Sequence, residues 1–342
     1  MSAAFPSSDE AFPVLVGDIG GTNGRFGLVS KPGEPPDYLQ HVKVSDFKNP
    51  ETAIASILPH FPEKPVSAFF AIAGQVEGTH VLMTNADWTF DAAVIGHVCG
   101  FQKVSVINDF PPIAVALISL EEKKHLKRIG PVRSPSQGVR VVIGAGTGCG
   151  ASALIPVGDQ YLLQPTEIGL THLGPEGHQE LTLWPHLIAD LNGPMFVEAV
   201  LSGSGIVCLH NAFLRQNRLE PSTLSPGTVL EAAGGGDQLA KETISVFLRI
   251  LARVAGNLAL IFQASGGVYI AGGIVPRLLS FLDEGQFRSE FENKPPLQDF
   301  LIQTSTFVII EPLPALHGLA TLAAAPQSFV APVYHWHAES QQ

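Results

Sequence analysis

Four groups of residues in this chain have the types and spacing to do chemistry. The first is Gly17-Asp18-Ile19-Gly20-Gly21-Thr22-Asn23-Gly24-Arg25. Glycines let backbone amides approach phosphate oxygens, and a threonine hydroxyl adds a donor. An aspartate beside them can hold a metal-bound water. Two glycines alone would make only a hairpin turn. Asp18, Gly20, Gly21, Thr22 and Asn23 together exceed what a turn needs, so the segment reads as a phosphate site. The second group is Gly144-Ala145-Gly146-Thr147-Gly148. A dinucleotide site would need GxGxxG spacing and a helix directly after it. A β-branched, proline-containing segment follows instead, and no GxxxxGK[ST] loop exists. What remains is a second phosphate-contacting hairpin at Gly146, Thr147 and Gly148.

The third group is Asn108-Asp109, where a buried strand meets a helix. Asp109 can accept a proton from a hydroxyl, and Asn108 can bond a neighbouring one. Capping the helix ahead of Pro111 is an equal alternative on spacing alone. The fourth pairs Glu167, in Thr166-Glu167-Ile168-Gly169, with Glu198. Two such carboxylates can accept from sugar hydroxyls; taken singly, each reads as a surface group. The histidines form no HExxH pattern. His335 and His337 flank Trp336 in what reads as an exposed tail. No G-x-S-x-G elbow is present, which weakens a serine hydrolase reading.

The elements that must carry these groups alternate between strand and helix, an α/β pattern. Val14–Val16 and Arg25–Val29 read as a strand hairpin. Ala68–Ala73 and Val104–Ile107 are further strands, and residues 111–127 read as one helix with Pro111 and Pro112 in its first turn. Val139–Ile143, Ala151–Val157 and Tyr161–Leu163 are strands. Residues 238–264 carry apolar positions at helical spacing. Val268–Ala271 and 307–310 complete the strands. Strand–glycine loop–strand therefore occurs twice, which suggests two related halves.

The chain has 342 residues, 45% hydrophobic and 15% charged. At about 150 residues per domain this is two domains or one large one. Its net charge of −11 disfavours nucleic acid as a partner. Lys123, Lys124, Lys127 and Arg128 form the dense basic run, which reads as a solvated helix face. Three scattered cysteines give neither a disulfide framework nor a metal site, as suits a reducing cytoplasm. The N-terminus lacks a basic start and an apolar run, so no signal peptide is expected. Every long apolar stretch is interrupted, so no membrane-spanning helix and no membrane partner are expected.

Taken together, the motifs resemble the bacterial ATP-dependent glucokinase family. The matching segments are LVGDIGGTNGRF (15–26), MTNADW (83–88), VINDF (106–110), GAGTGCG (144–150), VLSGSGI (200–206) and GGVYIAGGIVPR (266–277). They fall in family order across nearly the whole chain. The resemblance implies a two-lobed α/β fold of the actin-like ATPase (ribonuclease H-like) type with a deep interlobe cleft. It places 1–118 and 314–342 in a small lobe and 119–313 in a large one.

The implied activity is ATP-dependent phosphorylation of glucose at its 6-hydroxyl. Asp109 would be the general base and Asn108 a sugar contact, with Glu167, Glu198 and Asn85 also on the sugar side. Asp18, Gly20, Gly21, Thr22, Asn23, Gly146, Thr147 and Gly148 would hold the ATP phosphates. Gly272 and Gly273 would lie by the adenosine. Mg2+ would arrive with ATP, through water at Asp18, with no direct metal ligand. A cytoplasmic homodimer is implied as well. Two departures stand out: Leu170 replaces the family's sugar-site histidine, and Gln75 replaces a frequent proline. In a strand, His172 would share the face of Leu170.

The alternatives are a kinase for fructose, mannose or glucosamine, and a non-catalytic sugar sensor. A sensor that regulates transcription would need a DNA-binding module, and only Met1–Pro13 precede the first strand. An actin-like filament protein would have no purpose for Asn108, Asp109, Glu167 and Glu198.

Overall fold

The computed structural model describes residues 11–83, 87–132, 136–191 and 193–338, without the side chain of Asp190. Asn85 lies outside the described residues. In chain order the strands begin with β1 (Val14–Ile19), β2 (Asn23–Val29), β3 (Asp37–Lys43), β4 (Ser67–Ile72), β5 (His80–Leu82), β6 (Thr89–Asp91) and β7 (Lys103–Asn108). They continue with β8 (Leu126–Ile129), β9 (Arg140–Ala145), β10 (Cys149–Val157), β11 (Gln160–Thr166), β12 (Val268–Ala271), β13 (Thr306–Ile309), β14 (Phe329–Val330) and β15 (Tyr334–His337). The helices are α1 (Pro50–Ile57), α2 (Ala92–Cys99), α3 (Phe110–Ala116), α4 (Glu122–His125), α5 (Gly177–Leu187) and α6 (Gly203–Gln216). Then come α7 (Pro226–Gly234), α8 (Gln238–Phe262), α9 (Glu284–Glu292), α10 (Gln298–Gln303) and α11 (Pro314–Ala324).

The chain divides into two compact units. One holds Met1–Leu120, Ser152–Pro165 and Glu311–Gln342; the other holds Glu121–Ala151 and Thr166–Ile310.

The first unit is built on a sheet of order β15-β7-β4-β1-β2-β3. Strands β1, β4 and β7 run parallel, with Ile19 beside Ile72 and Ile72 beside Asn108. Their C-terminal ends therefore finish together, the edge where α/β sheets collect ligand-binding loops. Phe26, Phe70 and Phe90 are fully buried on this sheet. Their rings meet edge to face at 6.4 and 5.4 Å, each pair adding about 0.5–1.5 kcal/mol beyond area burial. This packing accounts for Gly17: a Cβ there would stand 2.7 Å from the Phe70 ring and 2.8 Å from the Phe26 ring.

Helices α3 and α11 cross at a second obligatory glycine. A Cβ on Gly318 would lie 1.7 Å from the Pro112 carbonyl oxygen. Alanine would gain about 1 kcal/mol of helix propensity, but overpacking against backbone costs about 1–3 kcal/mol and wins. Gly318→Ala should therefore lower the urea midpoint and also kcat, because α3 follows Asp109 directly. Unchanged values of both would contradict this packing.

Three expectations are corrected in this part of the chain. Residues 111–127 do not form one helix: α3 ends at Ala116 and α4 is a single turn. Leu126–Ile129 instead pair antiparallel with β13, and sheet pairing outweighs the helical propensity of the lysine-rich segment. The basic run is accordingly not one solvated helix face. Arg128 lies on β8, bonds both Glu122 carboxylate oxygens at 2.8 Å and stacks 4.5 Å over Phe307. In the His335–Trp336–His337 segment both histidines are exposed, as expected, but the segment is not a tail. It is strand β15, paired with β7. Trp336 packs so closely on α2 that a Cβ at Gly96 would overlap its ring. His335 Nδ1 is 2.9 Å from Ser105 Oγ. Desolvation, then Lys103 and His337, push its pKa down to about 4.

In the second unit β9, β12 and β13 run side by side in parallel, and β8 adds antiparallel. Helix α8, 25 residues long, is long and apolar enough by length and composition to cross a membrane. Yet 72% of its apolar window is buried in the protein, so its hydropathy serves the core. Inside that core Arg253 on α8 meets Glu180 on α5. The bonds are 3.0 Å from Nη1 to Oε1 and 2.8 Å from Nη2 to Oε2. Glu180 is 2% exposed and Arg253 is 6% exposed.

Candidate active site

In the first unit the β1–β2 hairpin turns through Gly20, Gly21 and Thr22, and the Gly20 N–H donates to the Asn23 carbonyl at 3.0 Å. The strand starts earlier than expected, at Asn23 rather than Arg25. Asn23 Oδ1 lies 2.8 Å from His41 Nε2 on β3, which fixes that side chain. Thr22 at the tip is exposed. Asp18 pairs across the hairpin with Arg25, 3.5 Å between Oδ2 and Nη1. Burial raises the Asp18 pKa, and Arg25 opposes that rise. A cation near this carboxylate would oppose the rise as well.

Asn108 ends β7 and is clamped. Its Nδ2 donates to the Gly74 carbonyl at 2.9 Å, and its Oδ1 accepts from the Phe110 N–H at 3.1 Å. Asp109 then opens α3 with helical dihedrals, and its side chain makes no capping bond. Asn108, not Asp109, therefore serves the first amide of the helix. Gln75 follows Gly74 in this loop and bonds Glu77; nothing in the structure explains why it replaces a proline.

In the second unit the turn after β9 closes with the Gly146 N–H on the Gly148 carbonyl at 2.8 Å. A Cβ on Gly146 would meet no protein atom within 4 Å, so packing does not demand glycine there, and the open face leaves room for a ligand. Gly272 lies beside this turn, since Ala271 pairs with Gly144. It has φ +93° and a Cβ would stand 2.3 Å from the Ala145 carbonyl oxygen, so only glycine fits. Gly273 is exposed with open space around it. The turn and the glycine pair are thus neighbours.

The two glutamates also come into one neighbourhood. Glu167 caps the single turn Ile168–Leu170, and its carbonyl accepts from the Leu170 N–H. The chain then pairs with 195–197: Leu173 N–H to the Met195 carbonyl, Val197 N–H to the Thr171 carbonyl, both at 2.9 Å. His172 and Phe196 form the bridge between them and stack at 5.6 Å. Leu170 and His172 therefore do not share a strand face, contrary to the expectation: Leu170 ends the 3-10 turn, and His172 lies beyond it in the bridge to Phe196. Glu167 is exposed. Glu198 is half-buried and accepts from the Cys149 N–H at 2.9 Å. Burial, then Glu198, push the Cys149 thiol up to about 12.

One element escaped the sequence reading as a functional part. Ser202 caps α6 by accepting from the Gly205 N–H at 3.0 Å, and the Gly203 N–H bonds the Gly146 carbonyl at 2.9 Å. A 14-residue helix thus begins at the Gly146–Gly148 turn, where its N-terminal dipole would favour an anion. The signal was in the sequence: serine before Gly203-Ser204-Gly205 is a capping residue.

A glucokinase family model matches residues 15–326. A glucokinase of a Chelativorans species is 37% identical over 320 residues, 93% of each chain. One from Rhizobium johnstonii is 35% identical over the same share. The chain belongs to the glucokinase family. Among solved structures, a glucokinase from an Antarctic psychrotroph matches with TM-score 0.77 at 29% identity, over 92% of this chain and 99% of that one. Glucokinase from Balamuthia mandrillaris in complex with glucose matches with TM-score 0.77 at 20% identity, over 91% and 93%, which speaks for the fold. The glucokinase-family fold is the actin-like ATPase sugar-kinase fold, as the motifs implied.

Proposed function

We propose that the chain transfers the γ-phosphoryl group of ATP to the 6-hydroxyl of glucose. The observation that supports the mechanism is the Asn108–Asp109 junction: both residues stand where β7 ends and α3 begins, with Asn108 held by Gly74 and Phe110 and Asp109 making no cap bond to α3. Asp109 accepts the proton of the attacking hydroxyl. Asn108, held by Gly74 and Phe110, bonds a neighbouring hydroxyl. Glu167 and Glu198 accept from further sugar hydroxyls. Such paired acceptors reject sugars that leave them unpaired.

The hairpin amides at Gly20–Asn23 and Gly146–Gly148 neutralise developing charge on the transferred group, the dominant need in phosphoryl transfer. Gly272 and Gly273 border the nucleoside. Among the described residues no group of three or more histidine, cysteine or carboxylate side chains converges as a metal cage. One carboxylate, Asp18, beside a phosphate hairpin instead suits Mg2+ bound mainly by substrate phosphates and water. That ion would supply charge neutralisation on the phosphates. The reading includes a cytoplasmic homodimer acting in sugar breakdown.

Incubation with Mg-ATP and glucose should yield glucose 6-phosphate, read as NADP reduction through glucose-6-phosphate dehydrogenase. Phosphate appearing on another position, or none, would refute the reading. A second reading, a kinase for fructose, mannose or glucosamine, draws on Leu170. It is 57% exposed and cannot hydrogen-bond a sugar. Leu170→His should lower the KM for glucose; an unchanged or higher KM would remove Leu170 from the specificity argument.

A further inference from the structure

The segment that follows the His172–Phe196 bridge grips the second phosphate turn from both flanks. On one flank Glu198 Oε2 accepts from the N–H of Cys149, the residue directly after the turn. On the other flank, five residues later, the Gly203 N–H donates to the carbonyl of Gly146, inside the turn. The fit around the carboxylate is tight. A Cβ on Gly148 would stand only 2.4 Å from Glu198 Oε2. A Cβ on Gly169 would be 2.3 Å from the Cys149 carbonyl oxygen and 3.2 Å from the same Oε2. Gly169 belongs to the turn that follows Glu167. The Glu167 loop, Glu198 and the strand end that leaves the phosphate turn are therefore packed as one contact. Two glycines are required for it to exist.

We infer that Glu198 is a positioning residue for the nucleotide as well as a sugar ligand, and that through it sugar and nucleotide binding are coupled. A sugar hydroxyl that donates to Glu198 Oε1 holds the carboxylate in place. The carboxylate in turn holds the Cys149 amide and the exit of the turn whose amides meet phosphate. Each ligand pre-orders what the other needs, so each tightens the other by the same factor. The hold on the turn stands on the distances alone. The coupling rests on the proposed sugar role of Glu198.

The test is calorimetric titration of the full chain with Mg-AMPPNP, with and without saturating glucose, in three proteins. In the wild type, glucose should tighten AMPPNP by about fivefold or more, the usual range of coupling between sites. Glu198→Ala should weaken AMPPNP at least about tenfold without any sugar, the order of one lost charged hydrogen bond, and abolish the effect of glucose. Glu198→Gln, whose amide oxygen still accepts the Cys149 N–H, should bind AMPPNP within about twofold of the wild type while losing glucose affinity. A natively folded Glu198→Ala protein with unaltered AMPPNP affinity would overturn the inference. If that variant does not fold, Glu198→Asp, whose shorter side chain withdraws from Cys149, is judged on the same criterion. Loss of AMPPNP affinity in Glu198→Ala with no glucose binding in the wild type would overturn the sugar reading and support the hold on the turn.

Discussion

Asp109→Asn should lower kcat by about 10²–10⁴-fold, the usual worth of a general base, and leave the KM for glucose within a few-fold. That loss corresponds to about 3–5 kcal/mol of transition-state stabilisation. The amide keeps the shape of the side chain and its hydrogen-bonding to a sugar hydroxyl, but it cannot take the proton. The split between kcat and KM is what marks an interaction made in the transition state. The first turn of α3 should survive, because its first amide is served by Asn108 Oδ1. Unfolding by urea at the wild-type midpoint checks this. A kcat within threefold of the wild type would mean that Asp109 is not the base.

Glu180→Ala should lower stability by about 3–5 kcal/mol, the cost of stranding one half of a buried ion pair. Arg253 would keep its charge at 6% exposure with its two short bonds lost. Glu176, 3.4 Å from Arg253 Nη1 but half exposed, offers only partial compensation. Replacing both partners by apolar residues, Glu180→Leu with Arg253→Met, should recover most of the loss, since buried pairs and well-packed hydrophobes are close in net worth. The pair also has a functional side. Arg253 Nη2 donates to the Gly174 carbonyl, one residue beyond the Leu173 contact that aligns the Glu167 loop with 195–197. The glucose KM should therefore rise in Glu180→Ala at temperatures where the protein is still folded. A denaturation midpoint equal to the wild type would show that this pair contributes nothing.

The parts most legible in the sequence are those with local signatures. Val268–Ala271 reads as a strand from its apolar run and the glycines that end it, and β12 has those bounds. The α8 helix follows from the 3–4 spacing of Ile244, Phe247, Leu251 and Leu258, all buried. The first hairpin follows from its glycines, although Gly17 proves to be required by Phe26 and Phe70 packing rather than by phosphate. What was not legible depends on contacts distant in sequence. Strand β15 forms because Trp336 finds Gly96 and His335 finds Ser105, partners some 230–240 residues away that no window reveals. Leu126–Ile129 has a helix-forming composition and becomes a strand only because β13 offers an edge. At the site, the residue types of Asp109, Glu167 and Glu198 were readable. That Asn108 rather than Asp109 bonds the first amide of α3 needed the structure, and so did the link from Glu198 to the Gly146–Gly148 turn through the Cys149 amide.

The most direct test of the central claim is the rate of ADP release from Mg-ATP with glucose, mannose, fructose, glucosamine, N-acetylglucosamine and no sugar. The account predicts the highest kcat/KM with glucose and little release without sugar. Absence of turnover with every sugar, in a folded protein that still binds AMPPNP, would contradict it and leave a sugar-binding protein without kinase activity.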